Sequence, residues 1–173
     1  MTQSEFRMEE NIKNWNMAAI VLFAILAYAG FAYLLDSGML LMGISLGDFI
    51  ILSLAILRLV RLLAYDNITL FIREAFMDVN RVKYAEGGEE FVERVPSENS
   101  FKRTISKLLN CPWCTGVWVA LVVLFLYQAF PMLWILFLLL ALSSFASLLH
   151  LLSIMMGWNA ELKKVQATQL GKE

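Results

Sequence analysis

Apolar and polar residues follow one another in long blocks along this chain. Four apolar blocks, at residues 17–35, about 39–65, about 116–130 and 132–156, are separated by polar segments. A helix of roughly 20 residues is needed to cross the ~30 Å hydrocarbon core of a bilayer. The first block has 19 residues and no charge. The pattern predicts an all-α integral membrane protein with four transmembrane helices.

The polar segments divide the rest of the chain. We expect an N-terminal tail at 1–16, helices one and two within 17–65, a loop subdomain at 66–110, helices three and four within 111–156, and a C-terminal tail at 157–173. The third and fourth spans are joined by a turn at Pro131 and should form a tight hairpin. Trp118, one turn inside the third span, is expected to pack between helices.

Basic residues are confined to one set of segments. None of the 14 Lys and Arg residues lies in the connectors at 36–38 and Pro131. Lys and Arg concentrate in cytoplasmic loops of membrane proteins. We therefore predict a multi-pass protein of the cell membrane with both termini and the 66–110 loop in the cytoplasm.

Composition excludes several classes of protein. Hydrophobic residues are 60% of the chain, and the mean hydropathy is +0.66. The net charge of −1 gives no indication of nucleic-acid binding.

Residues 27–29 resemble a signal-peptidase site, but the acidic residues before them are unlike a signal peptide, so we expect no cleavage there.

The loop subdomain has two halves. Apolar residues recur at helical spacing over 68–84, which predicts an amphipathic helix lying on the membrane or on the bundle. A charged turn at 86–90 follows, then a segment at 91–96 that is a strand, a short ribbon or a loop. Residues 101–109 indicate a basic helix. A loop of this size is a candidate surface for a protein partner.

Cys111 and Cys114 flank Pro112 and Trp113 at the entry to the third span. Thiols at this spacing suit a dithiol redox couple, or two of the four ligands of zinc or an iron–sulfur centre. A metal site needs further ligands, so the sequence allows one only in a homodimer or with a partner, and otherwise implies no cofactor. The alternative is that both cysteines are packing residues.

A second polar group surrounds the end of the second span. It comprises Arg58, Arg61, Asp66, Arg73 and Glu74. The arginines could anchor the helix in the headgroups of the bilayer. Alternatively, one of them turns inward, pairs with Asp66 and holds the following helix against the bundle.

Two further polar residues are predicted inside the membrane. Asp48 either caps the second helix or lies in an ion path, and His150 is either a packing residue or a proton carrier. No catalytic triad, paired carboxylates or phosphate-binding glycine loop is present, so the sequence gives no indication of an enzyme.

The order of these motifs resembles a known family. An R-x-x-R-x-x-x-x-D-x-I pattern from Arg58 to Ile68 is followed by Arg73-Glu74 and by C-P-W-C-x-G-V-W from Cys111 to Trp118. This is similar to domain-of-unknown-function family 1360, small bacterial and phage membrane proteins that include a sporulation protein. The resemblance covers about residues 45–155 and implies an envelope role without an established activity.

These observations lead to two hypotheses. The first is a non-catalytic envelope or sporulation-related assembly component, or adaptor, that presents the 66–110 loop in the cytoplasm. The second is a membrane dithiol protein that uses Cys111 and Cys114 for thiol exchange or for metal binding between subunits.

Overall fold

The computed structural model describes residues 3–39, 43–83, 90–97 and 99–170. This part of the chain forms six α-helices and one two-stranded sheet. In chain order the elements are α1 (Gln3–Asp36), α2 (Leu46–Ala64), α3 (Leu70–Glu74), β1 (Met77–Lys83), β2 (Glu90–Pro96), α4 (Ser100–Leu109), α5 (Pro112–Ala129) and α6 (Trp134–Leu170). Single 3-10 turns, Asn67–Thr69 and Pro131–Leu133, precede α3 and α6.

Three helical stretches in the described residues are long and apolar enough to cross a membrane. They are Glu9–Asp36, Pro112–Ala129 and Pro131–Lys164. α2 has 19 residues, which is about 28 Å of helix, but every stretch of 18 residues within it contains Asp48, Arg58 and Arg61. The mainly helical class is confirmed, whereas a fourth span through α2 stays a prediction.

α2 forms the centre of the packed core, with α5 on one side and α6 on the other. Ala55 has no exposed surface, and around it lie Leu52 from α2, Val123 from α5 and Phe137 from α6. A methyl side chain at this position lets the neighbouring helices approach closely.

The predicted hairpin of the third and fourth spans is correct in its connection and wrong in its packing. The turn Pro131–Leu133 joins α5 directly to α6. Beyond that turn, however, the main contacts of both helices are with α2, which lies between them. The sequence shows that the connection between α5 and α6 is short, but it does not show which helices each of them packs against.

α1 lies at the edge of this group, against α4 and α5. Among its described side chains only Leu34 is buried. Aromatic pairs line the contact: the Phe23 and Trp118 rings are 5.2 Å apart between centroids, and those of Tyr33 and Phe125 are 6.1 Å apart. Trp118 therefore packs between helices, as expected.

The amphipathic helix expected over 68–84 is wrong beyond its first turns. α3 ends at Glu74, and β1 then pairs antiparallel with β2, with Met77 opposite Pro96 and Lys83 opposite Glu90. Val79 and Val82 in β1 favour a strand, and the valine-rich segment after the turn supplies its partner. Most of the charged turn predicted at 86–90 lies outside the described residues.

Candidate functional site

The end of α2 is closed by side chains from the segment that follows it. The last four carbonyl groups of a helix lack partners within the helix. Thr69 Oγ1 donates hydrogen bonds to the Leu62 carbonyl and, at 3.1 Å, to the Asp66 carbonyl. The Arg73 guanidinium donates to the Ala64 carbonyl and, over 2.8 Å, to the Asp66 carbonyl. Arg73 is only 9% exposed, so these bonds tie α3 firmly to the end of α2.

The two arginines of α2 have different environments. Arg58 Nη2 lies 3.8 Å from Asp66 Oδ2, in a partly exposed ion pair. Arg61 forms no ion pair or side-chain hydrogen bond within the described part of the chain, and its Nε atom is buried. Glu74 is the last residue of α3, directly after Arg73. The structure thus brings Arg58, Asp66 and Arg73 together around one helix end and leaves Arg61 apart.

At the start of α5, as at the end of α2, a threonine hydroxyl donates to a carbonyl of the preceding helix. Thr115 is buried, and its Oγ1 donates to the carbonyl of Leu108, seven residues earlier, over 2.8 Å. The same spacing separates Thr69 from Leu62 at the end of α2. Asn110 also donates to a carbonyl of α4, that of Ser106, over 2.9 Å. These bonds fix the angle between α4 and α5.

Cys111 is the N-cap of α5, and its sulfur accepts a hydrogen bond from the backbone N–H of Cys114 at 3.3 Å. Pro112 follows in the first helical position, where the missing N–H has no cost. The two sulfurs are 2.6 Å apart, compared with about 2.05 Å in a disulfide. The CPWC segment is therefore a helix start that also holds two thiols side by side.

The electrostatics of this helix start favour a thiolate at Cys111. Hydrogen bonds from the Cys114 thiol and from the Cys114 backbone N–H lower the pKa of the Cys111 thiol below its usual value. Cys114 itself is exposed. Among the described residues, no third Cys, His, Asp or Glu joins the pair in a potential metal site.

Asp48 lies in the first turn of α2, but the capping residue is Ser45. The Ser45 hydroxyl accepts a hydrogen bond from the Asp48 N–H at 3.1 Å and donates to Asp48 Oδ2 at 2.8 Å. The Trp134 indole donates to Asp48 Oδ1 at 3.2 Å. The carboxylate therefore links the start of α2 to the start of α6.

His150 is far from this group. It is an exposed residue of α6, 16 positions after Trp134, which corresponds to about 24 Å along the helix. Its side chain has no hydrogen bond or ion pair within the described part of the chain. The two polar residues predicted inside the membrane therefore lie at different levels of the structure and do not contact each other.

Sequence reasoning missed the two threonines, Thr69 and Thr115. Each lies shortly after a point where a helix ends, and each hydroxyl reaches back to a carbonyl of the helix before it. A threonine beside a helix break is common in any protein. The threonine hydroxyl can donate to a carbonyl of the preceding helix only if the following helix turns back in the right direction. The sequence does not show that direction.

Comparison with known proteins shows that a family model covers the part of the chain that contains these helix ends. The family described as a protein of unknown function, DUF1360, matches residues 51–153, which is more than half of the chain. The chain belongs to the DUF1360 family. The match runs from α2 to α6, so both closed helix ends, the β-ribbon and the cysteine pair lie within the DUF1360 region, whereas α1 lies before it.

Two relatives from Bacillus subtilis (strain 168) share part of this region. The UPF0713 protein YngL is 40% identical over 75 residues, which are 43% of this chain and 53% of YngL. The sporulation protein YjcA is 40% identical over 72 residues, which are 41% of this chain and 59% of YjcA. The chain thus covers a little over half of each relative. No solved structure matches it.

Proposed function

We propose that this DUF1360 chain is a four-span, non-catalytic membrane protein that presents the segment at 66–110 to a protein partner in the cytoplasm. The partner would belong to an envelope or sporulation-related assembly, since one relative carries the name of a sporulation protein. The observation that carries the proposal is the buried Arg73, which fixes the start of this segment to the end of α2.

The arrangement of helix ends supports the proposed orientation. The rings of Trp15 and Phe101 are 4.9 Å apart between centroids, so the polar part of α1 lies beside α4. At the other end, Asp48 and Trp134 join the connectors that lack basic residues. The contact between the polar part of α1 and the basic helix α4 supports one common side for these two basic segments, which we assign to the cytoplasm.

The use of the polar residues supports a non-catalytic role. Thr69, Arg73 and Thr115 donate to backbone carbonyls, and Asp66 pairs with Arg58. Groups that satisfy helix ends in this way position a segment, and they are not directed towards a common cleft. What they position is the ribbon of β1 and β2 with α4, the part of the segment that would meet the partner.

The proposal is tested by removing the ribbon and following its contacts in cells. A photoreactive amino acid placed at Asp78 should give a discrete protein adduct, whereas the same group at Tyr28, on the exposed face of α1, should give none. In a second variant residues 77–96 are replaced by a short Gly-Ser linker. This variant should stay in the membrane after alkaline extraction and lose the biological activity of the chain.

Two results would contradict the proposal. One is an absence of adducts at Asp78 in cells in which the chain is active. The other is full activity of the variant without residues 77–96. Loss of that variant from the membrane fraction would show that the ribbon is needed for folding, and the Asp78 adduct would then decide the question alone.

The alternative function is a membrane dithiol, which would use Cys111 and Cys114 at the start of α5. Native mass spectrometry of the chain, extracted without oxygen, distinguishes thiol exchange from metal binding between subunits. A disulfide lowers the mass by about two daltons, and a metal held between subunits appears as a metal-bearing dimer. A reduced, metal-free chain whose double Cys→Ser variant is fully active would exclude both forms.

A further inference from the structure

A groove of about 690 Å³ opens between the last turns of α2 and the start of α5. Its lining is mainly apolar, and Arg61, Tyr65 and Trp113 contribute to it. The residues that line it are Ser53, Ile56, Leu57, Val60, Arg61, Tyr65, Pro112 and Trp113. No acidic residue is among them, so the groove has one charged group and that group is a cation.

Arg61 is the residue that should make the groove prefer an anionic ligand. Its neighbour one turn earlier, Arg58, has a carboxylate partner in Asp66. Arg61 has none in the described part of the chain, and its buried Nε atom makes no hydrogen bond. The carbonyl end of α2 offsets part of this charge. The remaining donors of the guanidinium suit a planar or tetrahedral oxyanion such as a phosphate.

The aromatic residues place this cation at the level of lipid headgroups. Tyr65 is 61% exposed and Trp113 is 86% exposed, although both are large and largely apolar. Tyrosine and tryptophan favour the boundary between hydrocarbon and water. Ile56 and Leu57 continue the groove towards the middle of α2, where an acyl chain would lie beside them.

We propose that this groove binds one anionic phospholipid of the cytoplasmic leaflet, with its phosphate on Arg61 and an acyl chain along Ile56 and Leu57. The site rests on the membrane orientation given under the proposed function. It is independent of the partner proposed for the β-ribbon. The lipid would cover Pro112 and Trp113, and it would therefore stabilise the contact between α2 and the start of α5.

Native mass spectrometry of the full chain in detergent tests the site directly. The probes are dioleoyl phosphatidylglycerol and dioleoyl phosphatidylcholine, which have the same acyl chains. We expect one phosphatidylglycerol per chain, bound roughly tenfold or more tightly than phosphatidylcholine, because both lipids carry a phosphate but the choline cation of phosphatidylcholine offsets the attraction of its phosphate to Arg61. Arg61→Gln should abolish the preference. Lys102→Gln, which removes an exposed charge outside the groove, should leave it unchanged.

Two further variants keep the test valid if Arg61→Gln does not fold. Arg61→Lys keeps the charge and should retain part of the preference, whereas Trp113→Ala keeps Arg61 and should weaken the binding of both lipids. Equal binding of the two lipids by the wild type, or an unchanged preference in a folded Arg61→Gln variant, would overturn the proposal. Displacement of the lipid by millimolar inorganic phosphate would also overturn it, because the site would then recognise the free anion.

Failure of this site and failure of the proposed function give different results. The variant with a linker in place of residues 77–96 retains the groove and should still bind phosphatidylglycerol. A chain that binds the lipid but gives no adduct at Asp78 has the lipid site without the partner. A chain that gives the adduct but has no lipid preference has the partner without the lipid site.

Discussion

At the scale of single residues, the most consequential side chains close helix ends. Two threonines and one arginine donate to carbonyl groups that the helices themselves leave without partners. At the end of a helix near a membrane surface, such carbonyls otherwise depend on water. Bonds from the following segment replace that water and set the direction of the chain.

Replacement of Arg73 should destabilise the fold. Arg73→Met leaves the Ala64 carbonyl without its side-chain donor and removes one of the hydrogen bonds to the Asp66 carbonyl, and we expect a loss of about 1–3 kcal/mol in the free energy of unfolding. Arg73→Lys should recover only part of this, because an ammonium lacks the planar fork of the guanidinium. The measurement is unfolding by SDS in mixed micelles, followed by circular dichroism. Lys102→Met is the control, and equal stabilities of the Arg73 and Lys102 variants would contradict the prediction.

Alkylation should distinguish the two cysteines. The Cys111 thiol has a lowered pKa because the Cys114 thiol and then the Cys114 N–H donate to its sulfur. The pH profile of its reaction with iodoacetamide should therefore have a midpoint below the ordinary value of about 8.5. Cys114→Ala removes the first donor and keeps the second, so the midpoint should rise. Rates are read from peptide masses, and an unmoved midpoint would show that the thiol contact is not the cause.

Part of this arrangement of side chains could be predicted from the sequence. Arg58, Arg61, Asp66 and Arg73 were recognisable as a group because charged residues beside a membrane span are few. Their separate roles were not recognisable. Which arginine meets Asp66 and which carbonyl Thr69 reaches depend on how sharply the chain turns after Ala64, and that turn is a product of packing.

At the scale of elements, hydrophobic blocks predicted the long helices well and the short segments poorly. The block at 17–35 lies within α1, and the block at 132–156 corresponds to α6, which continues to Leu170. The segment at 68–84 carried a helical pattern and became a helix of five residues followed by a strand. Residues 77–83 form a strand because they pair with residues 90–96. The spacing of apolar residues within 68–84 does not show whether another segment is available for such pairing.

Overpacking the centre of α2 should disturb three helices at once. Ala55 has no exposed surface, so Ala55→Leu inserts a larger side chain between α2 and its neighbours. We expect a loss of about 1–3 kcal/mol in the free energy of unfolding. Ala24→Leu makes the same change at an exposed position of α1 and should have little effect. Similar losses in both variants, measured by SDS unfolding, would argue against close packing at Ala55.

At the scale of the whole molecule, the described helices form a row in the order α1, α5, α2 and α6 rather than a closed ring. The helices therefore pack closely at the centre of the row and less closely at its edges. α1 and the outer face of α6 keep large apolar side chains exposed, such as Tyr28 and Phe145. In a bilayer these faces would meet lipid or another chain.

Labelling from one side of the membrane should separate four spans from three. In a chain without Cys111 and Cys114, single cysteines are placed at Ser37, between α1 and α2, and at Asn99, before α4. An impermeant maleimide added to intact spheroplasts should label Ser37→Cys, and it should label Asn99→Cys only after lysis. If α2 did not cross the membrane, both positions would lie on one side and would label together.

The central place of α2 has a consequence for the order in which the protein is made. α2 leaves the ribosome before either of the helices that flank it, with Asp48, Arg58 and Arg61 in its sequence. About 45 residues separate its end from α5, which is roughly 2–9 s of synthesis at 5–20 residues per second. During that interval α1 is the only earlier span available to it. On the proposed four-span topology α2, with three charged residues, enters the bilayer before α5 and α6 are available to pack against it, which makes this step the one at which an insertion factor would matter most.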